Sequence, residues 1–363
     1  MLGGGRDFQV KTLPLFPTSV VGSMPRPAWV RELINGDSDI DESDYRRRMD
    51  SAIRSVIALQ ETAGLDVLTD GEWGRKSYIG VIAELASGFE LSVSEDGRPW
   101  TVVTERLAPR QPGFIAREVA QVKQLTDSAV KATLPSPALL GERMWDPVQS
   151  AAAYPTRESF VEACVPILRN EVELLRDEGV AIVQIDDPHL CLFVDPEVRA
   201  GYDDPDRAAD FSVEMTNQVV EGIDDVRLAV HLCRRAGARV RGDHAHHGGY
   251  GPILAALNRL RVHHLTMEFT APQAGDMAVF GDLRDDFEIG LGCVGCQPGK
   301  IDSVEEIVGR VEAALEFLDA SRITLNPDCG FAPGSAAEVS LDEVFLKLCN
   351  EVEAARRLRE QHG

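Results

Sequence analysis

A histidine and a cysteine two residues apart, His231 and Cys233, close the apolar run Leu228-Ala229-Val230-His231-Leu232-Cys233. Such a run reads as a buried strand. Alternate residues of a strand share a face, so the imidazole and the thiol aim at the same space beyond the strand end. Together they are half of a tetrahedral zinc site. Standing alone, such a pair is more often core filling. What changes the reading is that Glu268 and Cys329 follow later apolar runs in the same way. Two thiolates, an imidazole and a carboxylate would complete a zinc tetrahedron. The hard carboxylate oxygen is the ligand that an incoming soft thiolate displaces. A site of this kind activates a substrate thiol. Zinc lowers its pKa until the sulfur is a thiolate at neutral pH, able to attack an alkyl carbon.

Other clusters compete for the same chemistry. Cys293-Val294-Gly295-Cys296 is a CxxC, a motif of zinc sites and redox pairs, which either adds a ligand or packs. Asp243-His244-Ala245-His246-His247 lies in a Gly-flanked loop. It reads as a lid or substrate contact, through His246, ahead of metal binding. Asp70-Gly71-Glu72 and Asp186-Asp187-Pro188 each leave an apolar run. Their carboxylates either orient a substrate ammonium or cap the helix that follows. Cys164, Cys191 and Cys349 read as packing.

The elements that must position these groups are short. Apolar runs at 20–22, 65–69, 130–134, 180–185, 226–230, 264–267, 287–294 and 322–325 read as strands. Helical patterns cover 42–63, 156–178, 206–222, 252–260, 303–318 and 340–359. Strands alternating with helices predict an α/β fold, a (β/α)8 barrel of one domain over 17–363 behind a tail at 1–16. Residues about 80–125 break the rhythm. Alternation at 89–93 and 100–103 around Asp96-Gly97 predicts an inserted β-hairpin arm. Active sites of such barrels lie at the C-terminal strand ends. Ser23, Asp70, Glu72, Ser136, Asp186, Asp187, His231, Cys233, Glu268 and Cys329 all fall there. An open doubly wound sheet would want a Gly-rich first turn, which Gly22-Ser23-Met24-Pro25 does not supply.

Thirty-seven Lys and Arg against 59 Asp and Glu leave a net charge of −22. That argues against nucleic acid and anionic membranes as partners, since both need a basic patch. No apolar run approaches the roughly 18 residues of a membrane span, and residues 1–18 lack the apolar core of a signal peptide. Seven cysteines, an odd number, fit a reducing cytoplasm better than a disulfide framework.

Val21-Gly22-Ser23, Thr69-Asp70-Gly71-Glu72, Gln184-Ile185-Asp186-Asp187-Pro188, His231-Leu232-Cys233, Met267-Glu268 and Asn326-Pro327-Asp328-Cys329-Gly330 occur in this order between about residues 17 and 335. In sequence and order they resemble the catalytic C-terminal half of cobalamin-independent methionine synthase and its short single-barrel relatives. The resemblance implies a (β/α)8 barrel with His231, Cys233, Glu268 and Cys329 as zinc ligands. It implies that the backbone of Val21, Gly22 and Ser23, with Glu72 and Asp186, holds homocysteine. The chain departs from the pattern in three places. It carries no counterpart of the larger enzymes' additional N-terminal barrel, which helps hold the folate tail. It has Asp186-Asp187-Pro188 where the family usually reads Asp-Glu-Pro. Gln297 stands nearest to the His thought to donate a proton in the large enzymes, and an amide cannot do so.

The expected activity is zinc-dependent methyl transfer to homocysteine, giving methionine, with Asp186, Glu72 and Gln297 beside the reacting groups. The donor is a methyl-folate or a methyl-corrinoid, in the latter case on a corrinoid protein, and a homo-oligomer is an open possibility. The alternative within this chemistry is an epoxyalkane:coenzyme M transferase, which would need Arg26 or Arg75 for the sulfonate. A metal-free decarboxylase on the related uroporphyrinogen decarboxylase barrel would leave the His-x-Cys and Cys329 unexplained. A closed, inert structural zinc site would have no use for an exchangeable Glu268.

Overall fold

The computed structural model describes residues 13–36, 40–93, 99–234, 246–332 and 339–363. The Asp96-Gly97 turn, the Asp243-His244-Ala245 part of the His-rich loop and residues 1–12 lie outside them. In chain order the strands are β1 (Val67–Leu68), β2 (Ala86–Val93), β3 (Pro99–Pro109), β4 (Ala129–Pro135), β5 (Ile182–Asp186), β6 (Arg227–Leu232), β7 (His264–Glu268), β8 (Glu288–Val294) and β9 (Ile323–Pro327). Seven of them form one sheet in the order β1-β4-β5-β6-β7-β8-β9, every pair parallel. Residues 18–19 join its edges: Thr18 bridges Leu325 of β9, and Ser19 bridges Val67 of β1. With this eighth stave the sheet closes into the expected barrel.

The first stave lies two residues earlier than the apolar run suggests. Residues 20–22 have already left the sheet, and Val21 and Gly22 turn over the barrel mouth. Leu13, Leu15 and Phe16, expected in the tail, pack into the folded body. Leu13 packs on the buried layer Val67, Ala129, Ile182 and Ala229, and Phe16 is fully buried.

Long helices follow the pattern of the sequence. Glu42–Ala63, Arg157–Glu178, Pro205–Val220, Val304–Leu315 and Leu341–His362 each start at a side-chain cap, from Asp41, Thr156, Asp204, Ser303 and Ser340. The pattern at 252–260 yields only a 3₁₀ turn and a single helical turn, Leu254–Leu257. β2 and β3 form the predicted antiparallel hairpin. They leave the C-terminal end of β1 and return through a helix, Phe114–Lys123, which the broken rhythm concealed. Glu171 anchors that helix by accepting the N–H groups of Gly113, Ile115 and Ala116. Among the described residues no helix is long and apolar enough to cross a membrane.

Above its floor the barrel interior is polar. Lys131 donates to Ser19 Oγ (3.0 Å) and to the Val20 carbonyl, and Glu351 accepts the Ser19 N–H (3.1 Å). Backbone bonds from Ser19 N–H to Leu325 O, Leu325 N–H to Pro17 O and Val67 N–H to Thr18 O close the barrel, and one carboxylate oxygen reinforces them. Asp66 Oδ2 accepts the Thr18 N–H and Oγ1–H, both at 2.9 Å, and Arg359 Nη2–H at 2.6 Å. It ties the first stave to the second and to the last helix. Asp66→Ala should therefore lower unfolding free energy by about 2 kcal/mol. Urea denaturation of parent and variant checks this.

Candidate active site

The strand ends converge on one small cavity. It is lined by Val21, Gly22, Ser23, Glu72, Tyr78, Asp186, Pro188, His231, Cys233, Cys329 and Gly330. Parallel register explains much of this, because Asp186 on β5 stands directly opposite His231 on β6. His231 Nδ1–H donates to Asp186 Oδ1 (3.0 Å), which also accepts Gln184 Nε2–H (2.8 Å). Gln184 reaches Val21 O as well (3.0 Å), so the first stave, β5 and β6 are locked together. Burial opposes the imidazolium, but the bond to Asp186 and the nearby Cys233 thiol prevail and raise the His231 pKa to about 10. With Asp186 holding Nδ1–H, Nε2 is the nitrogen left for a ligand; it is buried without a hydrogen-bond partner.

Cys233 and Cys329 place their sulfurs 3.5 Å apart. One ligand atom from each of His231, Cys233 and Cys329 lies within 4.8 Å of the others. Tetrahedral geometry with Zn–S bonds of about 2.3 Å puts two sulfurs about 3.8 Å apart, so the donor set and its spacing fit zinc. Glu268 is not part of that triplet. It ends β7 beside Cys233, since Leu232 and Met267 are register partners. Its Oε2 accepts the Arg234 N–H (2.8 Å), while Oε1 is buried without a partner. Burial and the nearby Cys233 raise its pKa well above the carboxylate range.

Glu72 enters from a strained turn. Gly71 and Glu72 both have positive φ, 63° and 58°, costly for a glutamate. Asp70 Oδ1 holds the turn by accepting the Glu72 N–H (3.0 Å), and Thr133 Oγ1–H donates to Glu72 Oε1 (2.9 Å). A Cβ on Gly22 would stand 2.8 Å from that oxygen, and one on Gly330 would stand 2.3 Å from Ser23 Oγ. Both glycines allow the backbone to close around the cavity. Burial raises the Glu72 pKa to about 7, against the pull of Arg75.

The structure divides the predicted pairs. Asp186 faces the cavity, whereas Asp187 accepts the Leu190 N–H (3.0 Å) as the cap of helix Pro188–Leu192 and accepts Ser212 Oγ–H (2.6 Å). Glu72 lines the cavity; Asp70 supports it from behind. His246 is not a lining residue and pairs with Asp195 (3.1 Å). Gln297 is exposed and away from the lining. Ser136 caps helix Pro137–Met144.

Three contributors escaped the sequence reading. Tyr78 lines the cavity mouth, half-buried, with its pKa raised by burial. Thr133 holds Glu72. Arg234 is almost fully buried, stacked on Tyr250 at 4.0 Å and bonded to Gly248 O, Tyr250 Oη and Ala274 O. Its place directly after His-x-Cys is the one signal that marked it.

The shifted Glu72 predicts a pH effect. The folded protein keeps this proton up to about 7, while an unfolded carboxyl loses it near 4.5. The stability tied to Glu72 is therefore present below 4.5 and lost as pH rises through about 7. Relative to Glu72→Gln, the parent should lose up to about 3 kcal/mol across that window. Denaturant titrations of both proteins at the two ends of the window measure it.

The sequence matches the family described as "Cobalamin-independent synthase, Catalytic domain" over residues 16–357. Methionine synthase of Pyrococcus horikoshii is 26% identical, with 96% of this chain and 94% of that protein covered. A 5-methyltetrahydropteroyltriglutamate–homocysteine methyltransferase of Acidithiobacillus ferrooxidans is 28% identical over 97% of this chain but only 42% of its own length. Among solved structures, a B12-independent methionine synthase from Shewanella sp. W3-18-1 in complex with selenomethionine superposes with a TM-score of 0.77 at 20% identity, covering 96% of this chain and 98% of that one. A putative vitamin-B12-independent methionine synthase from Listeria monocytogenes gives 0.71 at 22% identity, covering 96% and 99%. At these identities the superpositions speak to the fold alone.

Proposed function

The chain belongs to the family of cobalamin-independent synthase catalytic domains, and from that premise we propose that it methylates the thiol of homocysteine, giving methionine, at a zinc site. The observation that carries the proposal is the cavity itself. A His-Cys-Cys triplet of zinc-binding geometry and two ammonium-accepting carboxylates, Glu72 and Asp186, face the same small space.

His231, Cys233 and Cys329 would hold the metal, and the unpartnered Glu268 Oε1 would serve as a fourth, exchangeable ligand. When bound, zinc lowers the pKa of the substrate thiol so that its sulfur is a thiolate at neutral pH. Glu72 and Asp186 receive the substrate ammonium, and the backbone of Val21, Gly22 and Ser23 holds the rest of the amino acid. Asp186 does double duty, since it also fixes the His231 tautomer. The thiolate, its proton given up to solvent, attacks the methyl carbon in line. A C–S bond forms as the methyl–donor bond breaks, and its electron pair stays on the donor. Gln297, exposed, has no part in this set.

The Pyrococcus relative is named as a methionine synthase, and the longer Acidithiobacillus relative is named for a methyltetrahydropteroyl donor. A methyl-folate is accordingly the first donor to test and a methyl-corrinoid the second. Coenzyme M as the thiol is disfavoured by where the candidate guanidinium groups lie. Arg75 is bound to Glu118 and Thr133, and Arg26 to the carbonyls of Glu72 and Arg75. Neither lines the cavity.

Protein purified without added metal should carry about one zinc per chain, a preparation of Cys329→Ser very little. Methionine formation should fall roughly a hundredfold or more in that variant. Metal analysis and product mass spectrometry read both. A parent that can neither hold nor be reloaded with zinc, or that opens an epoxide with coenzyme M but never forms methionine, refutes the proposal.

A further inference from the structure

The CxxC is not used by the site as drawn so far. Neither Cys293 nor Cys296 belongs to the ligand triplet, although both are buried and Cys296 touches Cys329. Their bonds point elsewhere. Cys296 Sγ accepts the N–H of Cys329 (3.3 Å) and donates to the Cys329 carbonyl (3.0 Å). One side chain thus grips both backbone groups of a single residue. Cys293 Sγ approaches the Asn326 carbonyl at 3.8 Å, a weaker contact at the other end of the same segment. Cys293 is also the residue at which the β8–β9 register shifts. A bulge of this kind re-aims the chain beyond it, here turning Cys296 toward Cys329.

The loop carrying Cys296 is fastened from behind. Lys347, fully buried, donates to the carbonyls of Gly295 (2.9 Å), Gln297 (2.8 Å) and Lys300, and pairs with Glu343 (3.2 Å). Asp302 accepts the Gly295 N–H (2.7 Å) and pairs with Arg310 (2.8 Å). Cys296 therefore acts from a fixed point.

We propose that the CxxC is a brace for Cys329, in which Cys296 is the positioning residue that sets where the Cys329 thiol meets the metal. The proposal rests on the zinc reading above. Metal sites are sensitive to such placement, because a ligand displaced by a fraction of an ångström loses bond strength. Outer partners of ligands typically account for 10- to 100-fold in metal affinity.

The test is zinc competition between the holoenzyme and a chromophoric chelator. Cys296→Ala removes donor and acceptor together and should weaken zinc binding by roughly 10- to 100-fold. Cys296→Ser keeps both functions on a shorter bond and should recover most of the loss. Cys164→Ala, which empties an equally buried site on the helix Arg157–Glu178, should leave the affinity unchanged. Hydrogen exchange on the parent holoenzyme adds a readout independent of any variant, with the Cys329 amide expected to be protected. Cys296→Ala holding zinc as the parent does, Cys164→Ala losing as much, or an unprotected Cys329 amide each overturns the brace while leaving the zinc reading standing. A parent without zinc overturns both.

Discussion

Bringing acidic groups together away from water is electrostatically expensive, and this fold does so deliberately. Asp186, Cys233, Glu268 and Cys329 are all buried at the mouth of the barrel. Burial and the nearby Cys233 push the Glu268 carboxyl toward its protonated form, and the bond to Cys233 together with burial does the same to the Cys329 thiol. Groups that repel one another in this way stay together only if the surrounding protein restrains them. Most of the surrounding bonds serve this restraint. Asp186 holds His231, and Arg234 fixes Glu268 and the loops behind it. Asp328 accepts the N–H groups of Phe269 (2.9 Å) and Thr270 (3.1 Å), sewing the end of β9 to the exit of β7.

The barrel supplies the rigidity for such a cluster. Parallel strands in register put successive C-terminal ends side by side, so groups far apart in sequence meet without long loops. The polar interior beneath the site serves the same end. Lys131 and Glu351 both grip Ser19, and Asp66 binds the first stave to the last helix. The backbone at Val21 to Ser23 is therefore held from below at the point where it roofs the cavity. Glu72 carries the one strained backbone angle in the lining, and its neighbours Asp70 and Thr133 sustain it.

Much of this was legible in the residues. The alternation of strands and helices, the hairpin and the pairing of His231 with Cys233 on one strand face follow from local patterns with a period of two or 3.6. Errors came where a local pattern has two outcomes. The run at 20–22 is apolar because it roofs a cavity, yet apolar runs also make strands. Asp70 and Glu72, or Asp186 and Asp187, are chemically alike within each pair. Which member faces the cavity depends on backbone direction at a turn, and the other serves as turn brace or cap. The CxxC was left open between ligand and packing because spacing alone says nothing of what the thiols point at.

By itself the sequence determined the alternation of strands and helices, the chemistry available at each strand end and the order in which the motifs appear. Those are consequences of near-neighbour sterics, hydrophobic periodicity and side-chain type. Only the tertiary structure decided which of these groups share one cavity. It brought the sulfurs of Cys233 and Cys329 to 3.5 Å across 96 residues of chain. It committed Arg26 and Arg75 to the protein rather than to a ligand, and it set Cys296 against the backbone of Cys329. Contacts of this range depend on barrel closure and on the register of strands that are not neighbours in sequence, and no local pattern encodes either.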